Sequence, residues 1–564
     1  MKKSLAVMAI AGITAMSAYA GPAKTVAPDV PLSNPNAMID VIVQFKLPAT
    51  SANLSSLHAF GQVNKQFTAI KGVRMTLPAG LVPAMGNMPF VKYVSPNRKS
   101  KAHVDISTAA VNANMVWSYG YDGTGVGVAV IDSGVATVLD LASHIVYSES
   151  FVSGQNASDA YGHGTHVAGI IGGSGAASQV KGSTRTLKGV ASGANIINLR
   201  VLDQNGSAQD SDVISAIERA IQLKDTYNIR VINLSLGRPV FESFTMDPLC
   251  QAVESAWQAG IVVVTAAGNA GRDNSYGNNG YGTIVAPGND PYVITVGAVN
   301  THGTPAISDD VVDSFSSKGP TAIDHIVKPD LVAPGNNVIS LLASTNCTLA
   351  TTYPGTLIPL STYVSGARGT SSSYFSLSGT SMAVPVVSGA AALLIQKNPW
   401  ITPDELKARM MKTAAKALPA YQNAVAADGT PYTFQGDAFT VGAGYLDIFA
   451  ALQNNDVIQY AAVSPAVQYD SSTGQVTLVR DLSSIWGTSI IWGDSIIWGD
   501  SIIWGDSIIW GDTLSGGVNG SSIIWGDSVV WGNHTSSGFS IIWGDSVNTA
   551  TPPQGSSANN GDRF

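Results

Sequence analysis

Val126-Gly-Val-Ala-Val-Ile-Asp132-Ser-Gly134 is a run of mostly β-branched residues that ends in an acid and a turn. Val and Ile favour extended backbone. A strand that is apolar at nearly every position, rather than at alternate ones, is built to be buried on both faces. Ile196-Ile-Asn-Leu-Arg-Val-Leu202, Arg230-Val-Ile-Asn-Leu234 and Ile261-Val-Val-Val-Thr265 read the same way. Between them, Asp210 to Leu223 and Leu249 to Ala259 carry helical patterns. Such alternation predicts an α/β domain, a parallel sheet covered by helices on both faces, over residues 103–454. Sites in these sheets form at the carboxyl ends of strands, which is where Asp132 stands.

Outward from this domain the character of the chain changes. Lys2 and Lys3, the apolar run Leu5 to Met16 and the small-residue site Ala18-Tyr19-Ala20 form an export signal over residues 1–20. A membrane anchor is the alternative, but the run is short for a bilayer span. No later stretch reaches about 18 apolar residues, so no transmembrane segment is expected. Residues 21–102 form a small separate α+β unit, with strands expected at Met38–Phe45, Val73–Leu77 and Phe90–Val94. Residues 455–482 read as a linker.

The tail, residues 483–564, repeats Ser-Ile-Ile-Trp-Gly-Asp in tandem from Ser489 to Asp512, and again at Ser522–Asp527 and Ser540–Asp545. A period of six matches no helical stripe. Ile and Trp favour extended backbone and Gly-Asp favours turns, so short strands with a turn in each copy are expected. Seven aspartates against one arginine give the tail −6 of the formal charge of −8. An acidic chain of 45% hydrophobic and 12% charged residues is foldable and has no basic surface for nucleic acid.

Three segments carry chemistry. Asp132 ends a buried strand. Gly162-His163-Gly-Thr-His166-Val-Ala-Gly169 sets a histidine at a helix start, and Ser378-Gly-Thr-Ser381-Met-Ala-Val-Pro385 sets a serine at the start of an apolar helix. A serine hydroxyl is a poor nucleophile until a base takes its proton. Histidine suits that task near pH 7, and a buried carboxylate fixes its tautomer and stabilises the imidazolium. His166, on the helix body, reads as structural.

These segments, in the order Asp, His, Ser, resemble the signatures of the subtilisin-like (S8) serine proteases. So do Val231-Ile-Asn-Leu-Ser235-Leu-Gly237, Ala266-Ala-Gly-Asn269, Asp313-Ser-Phe-Ser-Ser-Lys-Gly-Pro320 and Lys328-Pro-Asp-Leu-Val-Ala-Pro-Gly335. The resemblance implies a secreted serine endopeptidase acting on proteins or peptides through an acyl-enzyme, with Asp132, His163 and Ser381 as triad. It makes Asn269 the oxyanion donor. It makes Gly206, Ser207, Ala208, Ser235, Leu236 and Gly237 strands that bind an extended peptide. It walls the S1 pocket with Ala266, Ala267 and Gly268 and puts Val285 near its base, where no acid occurs, so an apolar or broad P1 preference follows. Residues 21–102 are then an inhibitory prodomain, cut near Asn97 to Ile106.

The departures from the family bear on metal and on the tail. The stretch Gly172 to Gly182 lacks the oxygen side chains of the usual calcium loop, and Asp140 matches a calcium ligand without its companions. No cofactor is required for the chemistry; structural calcium stays open but is not supported by that loop. An insertion, about Ser344 to Tyr374, precedes the catalytic serine and shapes or covers the cleft. Cys250 and Cys347 are the two cysteines; a disulfide between them and two free thiols are both open to an exported chain. The tail invites cell-surface association or self-association, with a disordered spacer that is trimmed off as the equal alternative. A non-catalytic adhesion protein on a protease fold is the competing reading, against which the complete set of signatures argues.

Overall fold

The computed structural model describes residues 25–27, 30, 32, 34–67, 71–96, 106–275, 277–458, 461–470, 475–479 and 561–562. The signal, residues 97–105 and all of the expected tail but Gly561 and Asp562 lie outside the described residues. The chain divides into two compact units, Met1–Lys101 and Ala102–Phe564.

The first unit is an antiparallel four-stranded sheet in the order Gln62–Gln66, Gly72–Pro78, Met38–Phe45, Val91–Pro96. The helices Ser51–Leu57 and Val82–Gly86 accompany it. Val41, Val43, Leu57, Val73, Met75 and Val91 form its core. The strand Gln62–Gln66 is one the sequence reading did not anticipate. Gln-Val-Asn-Lys-Gln has almost nothing to bury and serves as a polar edge.

The second unit is built on an eight-stranded sheet. Its path runs Val311–Val312, Ile294–Asn300, Val262–Ala266, Ile229–Leu234, Gly127–Asp132, Asn195–Arg200, Ile145–Ser150, with Leu331–Pro334 also pairing on Ile294–Asn300. All pairings are parallel except that of the short edge Val311–Val312. Every residue of Gly127–Asp132 is buried. Side chains alternate between faces along a strand, so both faces there are covered. The helices His163–Gly172 and Thr380–Lys397 pack together as one pair, and Asp210–Gln222 and Pro248–Gln258 as another. Asp132 ends the strand at which the chain order reverses, from Asn195–Arg200 on one side to Ile229–Leu234 on the other. That reversal leaves a crevice at the carboxyl ends of the strands.

The helix Thr380–Lys397 is long and apolar enough to cross a membrane, yet 89% of it is buried in this domain. Pro385 lies inside this helix and has no N–H for the Ser381 carbonyl four residues back, which accepts from Ser235 Oγ at 2.9 Å instead. Asp247 and Thr402 cap the helices that follow them by accepting from Leu249 N and Glu405 N.

The segment read as a linker from residue 455 begins inside this domain. Ala462 and Val467 join the core, and Ile326 bridges Ala466. Ser464 closes a buried ionic cluster. Lys328 Nζ and Lys407 Nζ reach the Asp330 carboxylate at 2.7 and 3.4 Å, all three side chains being fully buried. Ser464 Oγ donates to Asp330 at 2.5 Å and accepts from Lys407 at 2.8 Å. Burial alone would raise the Asp330 pKa, but the two ammonium groups outweigh it and hold it below the ordinary carboxylate value. Removing one partner from such a cluster leaves buried charge uncompensated. Asp330→Ala is therefore expected to cost about 3–5 kcal/mol of stability, and Ser464→Ala about 1 kcal/mol, read by denaturant unfolding of a Ser381→Ala chain. Equal losses would mean that the lysines find other partners.

Candidate active site

Asp132 and His163 meet because a helix start is brought against a strand end. His163 Nδ1 lies 2.8 and 3.0 Å from the two Asp132 oxygens. The approach depends on the residue after the histidine. A Cβ on Gly164 would fall 2.2 Å from Gly134 O and 3.2 Å from the Asp132 side chain, so only glycine admits this contact. Gly162, just before, has φ 104°, a conformation that side chains resist.

Two further residues lock the junction. Ser133 Oγ accepts from Gly164 N at 2.9 Å and donates to Asp159 Oδ1 at 2.8 Å. Asp159 also accepts from Gly162 N at 2.6 Å and Thr165 N at 2.8 Å. It thus places a carboxylate at the amino end of the histidine helix, where unpaired N–H groups favour negative charge. Burial raises the Asp159 pKa from its ordinary value despite these bonds. Burial also works to lower the His163 pKa, but the Asp132 charge and hydrogen bond, with the Asp159 charge, carry it above the ordinary histidine value. His163 Nε2 is buried and has no hydrogen-bond partner among the described residues.

Ser381 sits at the start of the helix Thr380–Lys397. Its hydroxyl donates to Ser235 O at 3.1 Å, and its carbonyl accepts from Ser235 Oγ at 2.9 Å. The hydroxyl is therefore parked on a backbone carbonyl rather than on the imidazole, as is common before substrate arrives. Asn269 Oδ1 accepts from Thr380 N at 2.9 Å and Thr380 Oγ1 at 3.0 Å. These two bonds fix the Asn269 amide beside Thr380, the residue that precedes Ser381.

The expected substrate residues fall into two groups. Gly206, Ser207, Ala208, Ser235, Leu236 and Gly237 line one cavity of about 270 Å³, with His163 and Tyr161 at its wall. Ala266, Ala267, Gly268 and Val285 form a second group. Val285 N donates to Ala267 O at 3.1 Å. A Cβ on Gly237 or on Gly268 would lie 2.5 or 2.8 Å from a Val285 methyl. The Val285 side chain therefore fills the gap between the Ser235–Gly237 and Ala266–Gly268 segments.

The pattern of the subtilase family, peptidase S8, matches residues 123–444. The chain belongs to the subtilase family. It is a serine endopeptidase, a hydrolase of the subtilisin type. Serine protease AprX of Bacillus subtilis (strain 168) is 38% identical over 341 residues, 58% of this chain and 71% of that protein. Subtilisin DY of Bacillus licheniformis is 34% identical over 348 residues, covering 61% and 96%. Subtilisin E of Bacillus subtilis (strain 168) is 33% identical over 399 residues, covering 70% and 84%.

Other expected features of this subtilase have their own surroundings. His166 is fully buried against Phe375, with ring centroids 5.0 Å apart, and its Nε2 bonds to Val338 O at 3.0 Å. Burial pushes its pKa down to about 3, so it stays neutral. The Asp140 carboxylate accepts from Gly175 N, Ala177 N and Tyr374 Oη at 3.1, 2.6 and 2.8 Å. Three protein donors hold the oxygens a calcium ion would need, so these residues do not fit that metal. Tyr374 comes from the insertion, which also donates Thr348 N and Leu349 N to Ala160 O and Tyr161 O and so braces the loop before His163.

The two thiols are free, one of the two states that the sequence leaves open. Each is packed against a different segment. Cys250 Sγ lies 3.4 Å from Asn289 Oδ1, and Cys347 Sγ lies where a Cβ on Gly162 would come within 2.6 Å.

Asp159, Ser133, Tyr161 and Thr380 escaped the sequence reading. The one available signal was an acid three residues ahead of a helix N-cap. Asp159→Asn removes a negative charge near the imidazole and is expected to lower the His163 pKa. An NMR titration of His163 in a Ser381→Ala chain should show its midpoint at lower pH than with Asp159 present; a midpoint that stays or rises would contradict the charge assignment.

Proposed function

We propose that this subtilase cleaves peptide bonds with Ser381 as nucleophile, His163 as general base and then acid, and Asp132 as the group that orients and charges the imidazole. The observation that carries this reading is the buried Asp132–His163 pair with an unpartnered Nε2. In this reading the Ser381 hydroxyl leaves the Ser235 carbonyl for that base when substrate arrives. The Asn269 amide nitrogen and the Ser381 backbone N–H then stabilise the oxyanion. His163 gives its proton to the leaving amine, and water releases the acyl group. No cofactor takes part, and no calcium is assigned to Asp140.

The cavity along Gly206–Ala208 and Ser235–Gly237 suits an extended peptide that pairs with strand edges. Val285 fills space between the walls of the pocket beside it, so a small or medium apolar P1 side chain is favoured over a large aromatic one. In the same proposal residues 1–20 direct export, residues 21–102 act as an inhibitory prodomain removed near residues 97–106, and the hexapeptide tail serves association at the cell surface or with other copies.

The direct test is reaction with a fluorophosphonate serine probe. One label is expected on Ser381, absent from Ser381→Ala and slowed in His163→Ala; a label on another residue of the intact enzyme would overturn the assignment. For specificity, Val285→Gly is expected to raise kcat/KM for substrates with Phe at P1 about tenfold relative to those with Ala, the worth of one or two methylene-sized steps in an apolar pocket. An unchanged ratio of the two substrates would show that Val285 does not limit P1.

A further inference from the structure

Gly561 and Asp562, near the carboxyl terminus, are built into the peptidase unit. Asp562 is 3% exposed, its side chain fully buried. Its Oδ1 accepts from Arg272 Nη2 and Ser314 Oγ, both at 2.6 Å, and its Oδ2 accepts from Ser314 N at 2.6 Å. Its backbone is read as closely. Asp562 N donates to Asn336 Oδ1 at 2.9 Å, and its carbonyl accepts from Asn336 Nδ2 at 2.9 Å and Asn337 Nδ2 at 3.4 Å. Gly561 O accepts from Ala427 N at 3.1 Å.

Each half of the dipeptide is selected. A Cβ on Gly561 would fall 2.7 Å from Ser378 Oγ and 2.9 Å from Asn336 Oδ1, so no larger residue fits without displacing them. An aspartate carries the charge that the Arg272 guanidinium meets, with two donors from Ser314. Asp313, next to Ser314 in the chain, is fully buried, and burial and the Asp562 charge push its pKa well up. The pocket wall is also the nucleophile's approach. Ser378, three residues before Ser381, donates to the same Asn336 oxygen that receives Asp562 N.

The dipeptide read here is the one that ends each complete repeat of the tail, at Asp494, Asp500, Asp506, Asp512, Asp527 and Asp545, each preceded by glycine. We propose that the pocket formed by Arg272, Ser314, Asn336, Asn337 and Ser378 is a Gly-Asp receptor, filled by Gly561–Asp562 and equally able to take the Gly-Asp of a hexapeptide repeat. Repeats then compete with the terminal dipeptide within one chain and link one chain to the next. The inference does not depend on the catalytic roles.

The test uses the full chain with Ser381→Ala, so that nothing is digested. Asp562 and the six repeat aspartates are changed to Asn, which leaves the pocket without an internal ligand. A fluorescent Ser-Ile-Ile-Trp-Gly-Asp-Ser peptide is titrated in, followed by anisotropy, with an Asn-Asn-Gly-Asp-Arg-Phe peptide as competitor. Binding is expected, with loss of roughly tenfold or more in affinity when the peptide's Gly becomes Val or its Asp becomes Asn. The same loss is expected for Arg272→Ala and, should that variant fold poorly by circular dichroism, for Asn336→Ala. If the terminal peptide binds and the repeat peptide does not, the receptor is private to Gly561–Asp562 and the proposal is overturned. Equal binding of the Val and Asn peptides overturns it too, as does binding that survives Asn336→Ala.

Discussion

The Ser133 hydroxyl and the Asp159 carboxylate join a strand end to a helix start, and the rest of the site is positioned from that joint. Asp132 closes the strand Gly127–Asp132, and His163 opens the helix His163–Gly172. Neither element by itself fixes the distance between the two side chains. The hydroxyl accepts from the helix backbone at Gly164 and donates a hydrogen bond to Asp159, which holds the backbone at Gly162 and Thr165. The N–H groups that a helix start leaves unpaired are thereby used to fasten it to the sheet. Behind the joint, Arg200 ties the preceding loop down through Asn156 O and Ser158 O at 2.8 and 2.9 Å. Such support decides whether a hydrogen-bonded acid and imidazole stay in register during turnover.

The opposite wall is set by a different device. The helix Thr380–Lys397 is buried from Thr380 through Ile395, so its start cannot shift without moving the core. Thr380 orients Asn269, and Ser235 exchanges hydrogen bonds with Ser381 in both directions. Ser381, Asn269 and Ser235 are thus referred to one rigid element. The insertion plays the corresponding part for the histidine, through Thr348 and Leu349 behind residues 160–161 and Tyr374 on Asp140. The Asp140 carboxylate holds the Gly172–Gly182 stretch through two of its backbone amides and also accepts from the Tyr374 hydroxyl.

Much of this was legible because the residues concerned sit in dense local patterns. Asp132, His163 and Ser381 each lie within a run whose periodicity fixes strand end or helix start, and the apolar strands betray their burial. Asp159 lies in Asn-Ala-Ser-Asp-Ala-Tyr, a stretch that reads as an ordinary solvated loop; it gains its role only when the loop folds over the helix start. Gln62–Gln66 has no alternation to detect, since an edge strand needs none. Ser464 gives no sign in sequence of the two lysines and the aspartate that it completes, which lie 57 or more positions away. Nor could spacing tell that Cys250 and Cys347 face different neighbours.

The Asp330 cluster also has a temporal meaning. A chain is made, and threaded through any pore, from its amino end. Asp330 and Lys407 emerge well before Ser464, and Asn336 waits longer still for Asp562. Until those late residues arrive, the growing domain holds polar groups in its interior with part of their partners missing, an arrangement that disfavours the closed core. Closure of the core is thus tied to residues made long after the groups they satisfy, so compaction of the domain follows, rather than accompanies, synthesis of its sheet.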